Sequence, residues 1–497
     1  MKIFNQSLIS SGILTALMSV SASANALEKP QTMEDMWKII QAQQKQIDAL
    51  ITEKKSATTV ATAPESAPAS NKAPADDVKK LERKTDVLSQ EVEKLRTNLS
   101  IPEEAALKSA YGLGPAASKV YQASKGLSIG GYGEGHYQAN VGNKGDSKDT
   151  ADMERMVLYA GYKFTDKILF NSELEFEHAT TGEGAESKGE VSVEFASLDF
   201  FLHPMANVRA GLVLMPMGFI NRIHEPTFYF GNHRPETEQR IIPSTWREMG
   251  VGLFGNITPE LSYTTYIVNG LDASGFTSDG IREGRGGGSN AKAENFGYVA
   301  ALDYTPAALS GFTVGGSAYA GNAGQNQVFD GHKADVLTQL YEGHVKWKYR
   351  GLEFRALGSY GHINDAGLLS AATGKAANYD LTTEVGSDGQ LPNAGVGQTI
   401  GSSNYGWYTE LGYDVLPLLF KDTSQYLAPF FRYEHFDTLA KVPNGYVDDN
   451  TKNQQIYQVG LQYKPIPNVV IKADYRNRTA KQGTVPDDFN LGFGFIF

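Results

Sequence analysis

The sequence predicts an all-β transmembrane barrel of 16 antiparallel strands, preceded by an α-helical coiled-coil segment. From Leu127 onward, apolar and polar side chains alternate, which is the period of a strand with one apolar face. The connections between candidate strands alternate between short turns and long polar loops, as in transmembrane barrels. Upstream of this region, residues in unbroken heptad spacing predict the coiled coil.

The N-terminus predicts export through a secretory signal peptide, residues 1–26. Lys2 precedes the apolar run LISSGILTALMSV, and Ala24-Asn25-Ala26 matches a small-residue cleavage site. The run is too short to span a bilayer, so the mature chain is expected to begin at Leu27. The chain has no cysteine, which excludes lipoprotein anchoring at a cysteine, disulfides and thiolate metal sites.

Composition narrows the class of protein further. With 45 basic residues, 56 acidic residues and a net charge of −11, a nucleic-acid partner is not expected. After the signal peptide no apolar stretch approaches the length of a transmembrane helix. Glycine (52), tyrosine (25) and phenylalanine (24) are abundant, which fits a large soluble all-β domain or a membrane barrel with a weak hydropathy signal per strand.

The region before the barrel divides into four segments. Residues 27–55 form a helical segment with an imperfect heptad pattern, and residues 56–75 form an Ala/Pro/Ser/Thr linker. Residues 76–100 form the predicted coiled coil, and residues 101–126 a short helix and connector. The coiled-coil seam consists of Val78, Leu81, Thr85, Leu88, Val92, Leu95 and Leu99. One helix cannot bury this seam alone, so we expect self-association; packing on the protein's own domain is the alternative.

Residues 127–497 contain 16 candidate strands, long enough to cross a bilayer when tilted. They are 127–140, 152–164, 167–179, 190–202, 205–216, 246–256, 259–270, 296–305, 310–321, 335–350, 351–363, 403–415, 425–437, 453–465, 467–479 and 487–497. Short turns on one rim and long loops on the other predict a barrel in a Gram-negative outer membrane. An even strand number places both ends of the barrel on the short-turn, periplasmic side, and the coiled coil therefore in the periplasm.

The alternation also predicts which side chains face lipid and which face the lumen. In NVVIKADYRNR, Ile471 lies on the apolar face and Lys472 on the charged face. The predicted lumen cations are Arg155, Arg209, Lys346, Arg355, Arg432, Lys472 and Arg476, and an opposing acidic wall consists of Glu173, Glu175 and Glu177. Such charges would set up a field across the pore; the alternative is that they only keep the lumen wet.

The long connection at residues 217–245 is rich in aromatic residues and in charges of both signs. Folded into the barrel, it would pack its apolar side chains and leave arginines to narrow the pore. The constriction candidates are Arg222, Arg234 and Arg240, with Arg247 at the start of the next strand. Glutamates balance these arginines, so the loop alone does not predict anion selectivity. A lid that projects outward is the alternative.

The sequence contains no set of residues typical of an enzyme active site, and neither a cofactor nor a metal site is expected. The histidines lack HExxH spacing, and REGRGGGSN lacks the GK[ST] ending of a phosphate loop. Gly131, Gly133 and Gly135 form a smooth outer face on the first strand, which permits the close approach of another surface, such as a neighbouring subunit.

Several segments resemble the phosphate-selective porin O and P superfamily. They are GLSIGGYGEGHY, SLDFFLHPMANVRAGLVLMPMGFINRIHEPTFYFG, IIPSTWREMGVGLFG and a terminal phenylalanine. The heptads before the barrel resemble the DcaP-like branch of dicarboxylate porins, so that the resemblance covers roughly residues 75–497. It implies a homotrimer, an inward third loop, the four arginines above as constriction residues, and uptake of small anions. The absence of a dense lysine run favours dicarboxylates or other organic anions over phosphate.

The C-terminal stretch LGFGFIF predicts how the barrel closes. Its stripe Leu491-Phe493-Phe495-Phe497 would face lipid or a subunit, with its glycines toward the lumen. The last strand must pair with the first, because lipid does not tolerate an open sheet edge. The resemblance adds that the outer-membrane assembly machinery reads a terminal phenylalanine. Two other functions stay open: a sugar porin, which needs an aromatic slide along the lumen, and a structural outer-membrane protein with a plugged pore.

Overall fold

The computed structural model describes residues 108–142, 148–180, 189–376, 399–420 and 423–497, and these contain eighteen strands. The strands are β1 (Gly126–Val141), β2 (Thr150–Thr165), β3 (Ile168–Glu177), β4 (Val191–His203), β5 (Ala206–Leu214), β6 (Arg247–Thr258), β7 (Leu261–Asn269), β8 (Phe296–Tyr304), β9 (Phe312–Asn322), β10 (Val328–Phe329), β11 (His332–Lys333), β12 (Leu337–Tyr349), β13 (Leu352–Ile363), β14 (Ser403–Tyr413), β15 (Tyr426–Lys441), β16 (Asn453–Ile466), β17 (Val469–Ala480) and β18 (Asp487–Ile496). All except β10 and β11, which form a small hairpin, close into one antiparallel barrel. The predicted 16-stranded barrel is therefore confirmed.

Most of the predicted N-terminal region lies outside the described residues. This holds for the signal peptide (1–26), the helical segment (27–55), the linker (56–75) and the coiled coil (76–100) with its seam from Val78 to Leu99. Of the predicted connector at 101–126, the structure describes the part from Lys108 onward.

The helices in the described part are short. They are α1 (Lys119–Gln122), α2 (Thr237–Arg240), α3 (Ala366–Ala376) and α4 (Leu416–Leu419), with 3-10 turns at Ala273–Gly275, Arg282–Gly284 and Asn450–Lys452. Within the described ranges, no helix combines the length and the apolar character that crossing a membrane requires.

The two ends of the barrel differ in the length of their connections. One end, the short-turn rim, carries the connections at 166–167, 204–205, 259–260, 305–311, 350–351, 414–425 and 467–468. The other end, the long-loop rim, carries the remaining connections, of which residues 215–246 between β5 and β6 are called the inner loop below. The first residue of β1 and the last residue of β18 both lie at the short-turn rim, as an even number of strands requires.

The barrel is apolar outside and polar inside. Exterior side chains such as Val251, Val459, Leu461, Ile471, Leu491 and Phe493 are between 44% and 50% exposed. Their chain neighbours Gln458, Gln462, Lys472 and Asn490 point inward and are at most 2% exposed. On the outer wall, Trp347 and Tyr349 stack beside the turn at 350–351, where an interfacial aromatic girdle is expected. This arrangement is typical of a barrel that spans a membrane.

The barrel closes where β18 pairs with β1. Phe497 N donates to Gly131 O at 2.9 Å, and Gly131 N donates to Phe497 O at 3.0 Å. A Cβ atom built at Gly131 would lie 2.7 Å from Phe497 Cζ, and one at Gly133 would lie 2.7 Å from Phe495 Cζ. The smooth glycine face is thus covered by the rings of the last strand, so the approaching surface belongs to the same chain.

We expect Gly131→Ala to destabilise this seam. The new Cβ would lie 2.3 Å from the backbone oxygen of Val157, which cannot move without disturbing the β1–β2 pairing. Overpacking of this kind costs about 1–3 kcal/mol. The temperature at which the compact, fast-migrating form is lost on a denaturing gel should fall. Gly343→Ala is the matched control, because its Cβ would meet nothing within 4 Å; equal melting of both variants would contradict the prediction.

Candidate functional site

The inner loop lies inside the barrel and packs against its far wall. Arg432 Nη2 of β15 donates to Phe230 O at 2.7 Å, and Lys464 Nζ of β16 donates to Thr227 O at 2.8 Å. On β17, the Asp474 carboxylate accepts from the backbone N–H of the loop at 2.8 Å. Lumen side chains therefore hold the backbone of the loop, which crosses the lumen rather than projecting outward.

Glycines on the inner wall make room for the loop. A Cβ at Gly412 would lie 2.4 Å from the ring of Phe230, and one at Gly494 would lie 2.5 Å from Pro226. The loop's apolar residues fill the space that the glycines leave. Met215, Met217, Phe219, Ile220, Ile241, Ile242 and Trp246 are all at most 4% exposed. The aromatic and aliphatic content of the loop is thus used for packing within the lumen.

Each of the four predicted constriction arginines is paired with a carboxylate. The arginines are Arg222, Arg234, Arg240 and Arg247, and their partners are, in that order, Asp303 at 2.6 Å, Glu134 at 4.0 Å, Glu236 at 3.1 Å and Glu194 at 2.6 Å. Arg240 also contacts Asp279 in the next loop at 3.0 Å. These arginines are spread around the lumen, and each lies near a carboxylate, of which Glu134 is shared with Arg155.

The predicted wall cations also face the lumen and most have acidic partners. Arg155 lies 3.3 Å from Glu134 and 3.6 Å from Glu175, Arg209 lies 2.7 Å from Asp199, and Arg476 lies 2.7 Å from Asp488. Arg355 and Arg432 share Glu410. Lys346 lies opposite Arg355 in the β12–β13 pairing. Lys472 Nζ has no hydrogen-bond partner in the described part of the chain and sits 3.8 Å from the centroid of the Tyr229 ring.

The predicted acidic wall is likewise in contact with basic groups. Glu173 Oε1 lies 3.0 Å from His224 Nε2 of the inner loop, and Glu175 faces Arg155. Glu177 ends β3 at the long-loop rim. Within both predicted sets, several charged groups therefore lie at contact distance from a group of opposite type, as Arg155 does from Glu175. A field across the whole pore stays a prediction.

The clearest concentration of basic groups lies where the inner loop meets the next long loop. A cavity of about 150 Å³ is lined by Thr245, Arg247, Arg282, Glu283, Arg285 and Gly287, and we call it the arginine pocket. Arg285 Nη1 donates to Thr245 O at 3.0 Å, and Arg282 Nη1 donates to Ser244 O. Among the described residues, neither of these two guanidinium groups has a carboxylate within 4.0 Å. Backbone carbonyls hold them in place without cancelling their charge.

The electrostatics of the arginine pocket favour a negative ligand. Burial lowers the pKa of Arg282 to about 10, and the like charges of Arg285 and Arg234 act in the same direction. Burial and the like charge of Arg247 also lower the pKa of Arg285. Both side chains stay cationic near neutral pH, and the acidic groups near them, such as Glu283, supply too little negative charge to offset burial and the like charges. A carboxylate or phosphate, which matches the planar guanidinium fork, would supply it.

Sequence reasoning did not identify Arg282 and Arg285 as site residues. The stretch REGRGGGSN was compared only with phosphate loops of nucleotide-binding enzymes. A usable signal was present: two arginines in one turn, followed by Gly287 and Gly288, whose positive φ angles of 57° and 75° reverse the chain. Their proximity to Arg247 depends on how two long loops fold together, which no local pattern encodes. The described residues contain no group of three or more His, Asp or Glu side chains placed to hold a metal ion.

Known proteins that are similar to this chain include a relative in sequence and several solved structures of outer-membrane proteins. No family model matches the chain. Among solved structures, Salmonella typhi OmpF in complex with daunomycin aligns with a TM-score of 0.49 at 13% identity, covering 75% of this chain and 98% of that one. The outer membrane channel DcaP of Acinetobacter baumannii aligns with a TM-score of 0.44 at 14% identity, covering 75% and 97%.

One curated relative is much closer in sequence. It is an uncharacterised protein of Aquifex aeolicus (strain VF5), 37% identical over 407 residues, which are 81% of this chain and 87% of the relative. Identity at this level over most of both chains shows common descent, and this chain therefore belongs to the same family as the uncharacterised Aquifex aeolicus protein.

Proposed function

We propose that this protein is an outer-membrane porin, a homotrimer whose water-filled barrels let small anionic solutes diffuse into the periplasm. Dicarboxylates or phosphate are the proposed solutes. The observation that carries this proposal is the arginine pocket, which sits in the loops of a barrel with an apolar exterior and a charged interior.

The membrane setting is supported by the surface of the barrel. Side chains such as Ile471 and Phe493 need an apolar environment, and a closed barrel leaves no unpaired strand edge in lipid. Because the signal peptide predicts export, the outer membrane is the bilayer that fits. The short-turn rim then faces the periplasm and the long-loop rim faces the outside.

The anionic solute is supported by the position and chemistry of the arginine pocket. It lies among the long loops, where an incoming solute first meets the lumen. Arg282 and Arg285 are fixed by backbone carbonyls and therefore present their remaining N–H groups with little loss of side-chain entropy. The lumen wall carries both basic and acidic groups, so a hydrated ion would meet a polar surface along its path.

A sugar porin is less well supported. Sugars slide along aromatic rings that are open to the lumen, whereas the inward-facing tyrosine rings here are buried. Tyr132, Tyr159, Tyr266, Tyr319 and Tyr408 are at most 3% exposed. A structural protein with a plugged pore is the second candidate, favoured by the dense packing of the inner loop against β15, β16 and β17.

Conductance in planar lipid bilayers tests the proposal. In a salt gradient the reversal potential should indicate anion preference, and succinate or phosphate should reduce the ionic current while maltose should not. Cation preference without any block by organic anions would contradict the proposed solute. A current reduced only by maltose would favour the sugar porin, and the absence of any conductance would favour the structural protein.

A further inference from the structure

A short segment that precedes the barrel in the chain lies inside the lumen. Residues 110–122, called the inner segment here, pack against the wall formed by the first strands. Leu113, Ala116, Ala117 and Val120 are at most 5% exposed. Gly161 on β2 leaves the hollow that Val120 fills, because a Cβ there would lie 2.6 Å from that side chain. The wall is therefore shaped to receive the segment.

Polar contacts fix the segment to the same wall. Asn171 Nδ2 on β3 donates to Ala117 O at 2.9 Å. Tyr121 OH donates to Asp199 Oδ2 at 2.8 Å and accepts from Arg209 Nη2 at 2.9 Å. The hydroxyl group thus bridges an ion pair that spans β4 and β5, so the C-terminal end of the segment is held at one register.

The middle of the inner segment is joined to the inner loop. Glu225 Oε1 of that loop accepts from Ala116 N at 2.9 Å and from Ala117 N at 3.2 Å. The carboxylate is completely buried and lies directly against Gly114, where a Cβ would be 2.4 Å from Oε1. A side chain at position 114 would displace the carboxylate, so the glycine is required for the contact.

The location of the segment narrows the lumen near the short-turn rim. The ring of Tyr111 lies 5.2 Å from that of Phe201 and 5.4 Å from that of Phe254, both close to short turns. The inner segment thus lies on the β1–β6 side. The inner loop extends from the β15–β18 side to contacts with Glu134 on β1 and Glu173 on β3, where it meets the segment. Joined through Glu225, the segment and the loop together occupy part of the lumen, so a solute that crosses the barrel would pass beside them.

We propose that Glu225 is a positioning residue that joins the inner segment to the inner loop, so that residues 110–122 set how far the loop extends across the pore. This inference rests on the proposed channel function. The segment then acts as a part of the constriction rather than as a simple linker. Glu225 itself need not contact the solute, because it acts through the loop that carries Arg222 and Arg234.

Three variants of the full-length trimer separate this role from a general loss of stability. Glu225→Ala removes both hydrogen bonds and should raise the single-channel conductance and move the reversal potential toward zero. Glu225→Gln keeps an oxygen that can accept both N–H groups and should stay close to wild type. Gly114→Val should resemble Glu225→Ala, because its side chain occupies the place of the carboxylate.

Controls make each outcome decisive. Glu260→Ala, at an exposed turn, should leave conductance unchanged, and the gel-shift assay reports whether each variant is folded. If Glu225→Ala does not fold, Tyr121→Phe is used to test the inference instead. This variant releases the C-terminal end of the segment from Asp199 and Arg209 and should also raise the conductance. If the wild type conducts and the folded variants have the same conductance as the wild type, the role of Glu225 is refuted but the proposed function is not. A wild type without conductance would instead refute the proposed function.

Discussion

Replacing Glu410 with alanine is expected to lower the stability of the barrel sharply and to release the inner loop. Glu410 is buried and pairs with both Arg355 and Arg432. Its removal leaves these two buried cations with only longer acidic contacts, to Glu353 at 3.5 Å and to Glu434 at 3.8 Å. Removing one partner of a buried ion pair costs about 3–5 kcal/mol. The same two arginines donate to Phe228 O and Phe230 O of the loop, at 2.6 Å and 2.7 Å, so the disturbance reaches the pore.

Two measurements check this result. The melting temperature of the folded form on gels should fall by many degrees, and the single-channel current should become larger or noisier as the loop moves. Glu260→Ala provides a control that also removes a carboxylate, but at an exposed turn. A Glu410→Ala barrel that melts and conducts like the wild type would mean that the two arginines find other partners.

The double variant Arg282→Ala with Arg285→Ala should greatly weaken the block of the current by succinate or phosphate. Hydrogen bonds to charged groups contribute about 1.5–3 kcal/mol each, so losing a single one corresponds to roughly a tenfold change in affinity. Both side chains lie in loops outside the barrel wall, so the fold should be preserved. The concentration of succinate that halves the current should rise at least about tenfold.

The dependence of the block on salt concentration provides a second test of the same double variant. Because the pocket attracts anions electrostatically, the block in the wild type should weaken as ionic strength rises, and this dependence should flatten in the variant. Arg350→Ala is a matched control, since that guanidinium group stacks on the Tyr349 ring at the short-turn rim. If the control and the double variant lose the block equally, the arginine pocket is not the binding site.

The barrel could be predicted because the alternation of apolar and polar side chains is a local pattern along each strand. Ile471 and Lys472 differ by one position and point to opposite sides, and this two-residue period fixes strand direction and face from sequence alone. The ends of strands were harder to place. The predicted strand 425–437 extends to Lys441 in β15, because the chain pairs with Ser403 beyond a register shift. The β10–β11 hairpin was missed, since two-residue strands leave no periodic signal.

The candidate site was predictable only in part, because its contacts are long-range. The apolar content of the inner loop predicted that it folds inward, but not that Arg432 would bind its backbone from 202 residues further along the chain. The loop arginines were identifiable by type, whereas their individual carboxylate partners were not. Arg282 and Arg285 were missed because their role depends on two loops meeting.

The contacts of the inner loop have a consequence for the biogenesis of the protein. Its residues bond to groups on β15, β17 and β18 that are 197, 242 and 257 residues distant in sequence. Contacts of such high sequence separation form slowly. A chain inserted strand by strand from its N-terminus would expose an apolar loop and unpaired charges until the last hairpins arrived. The contacts between the inner loop and the wall are therefore expected to form together and late, when the last strands close the barrel around the loop.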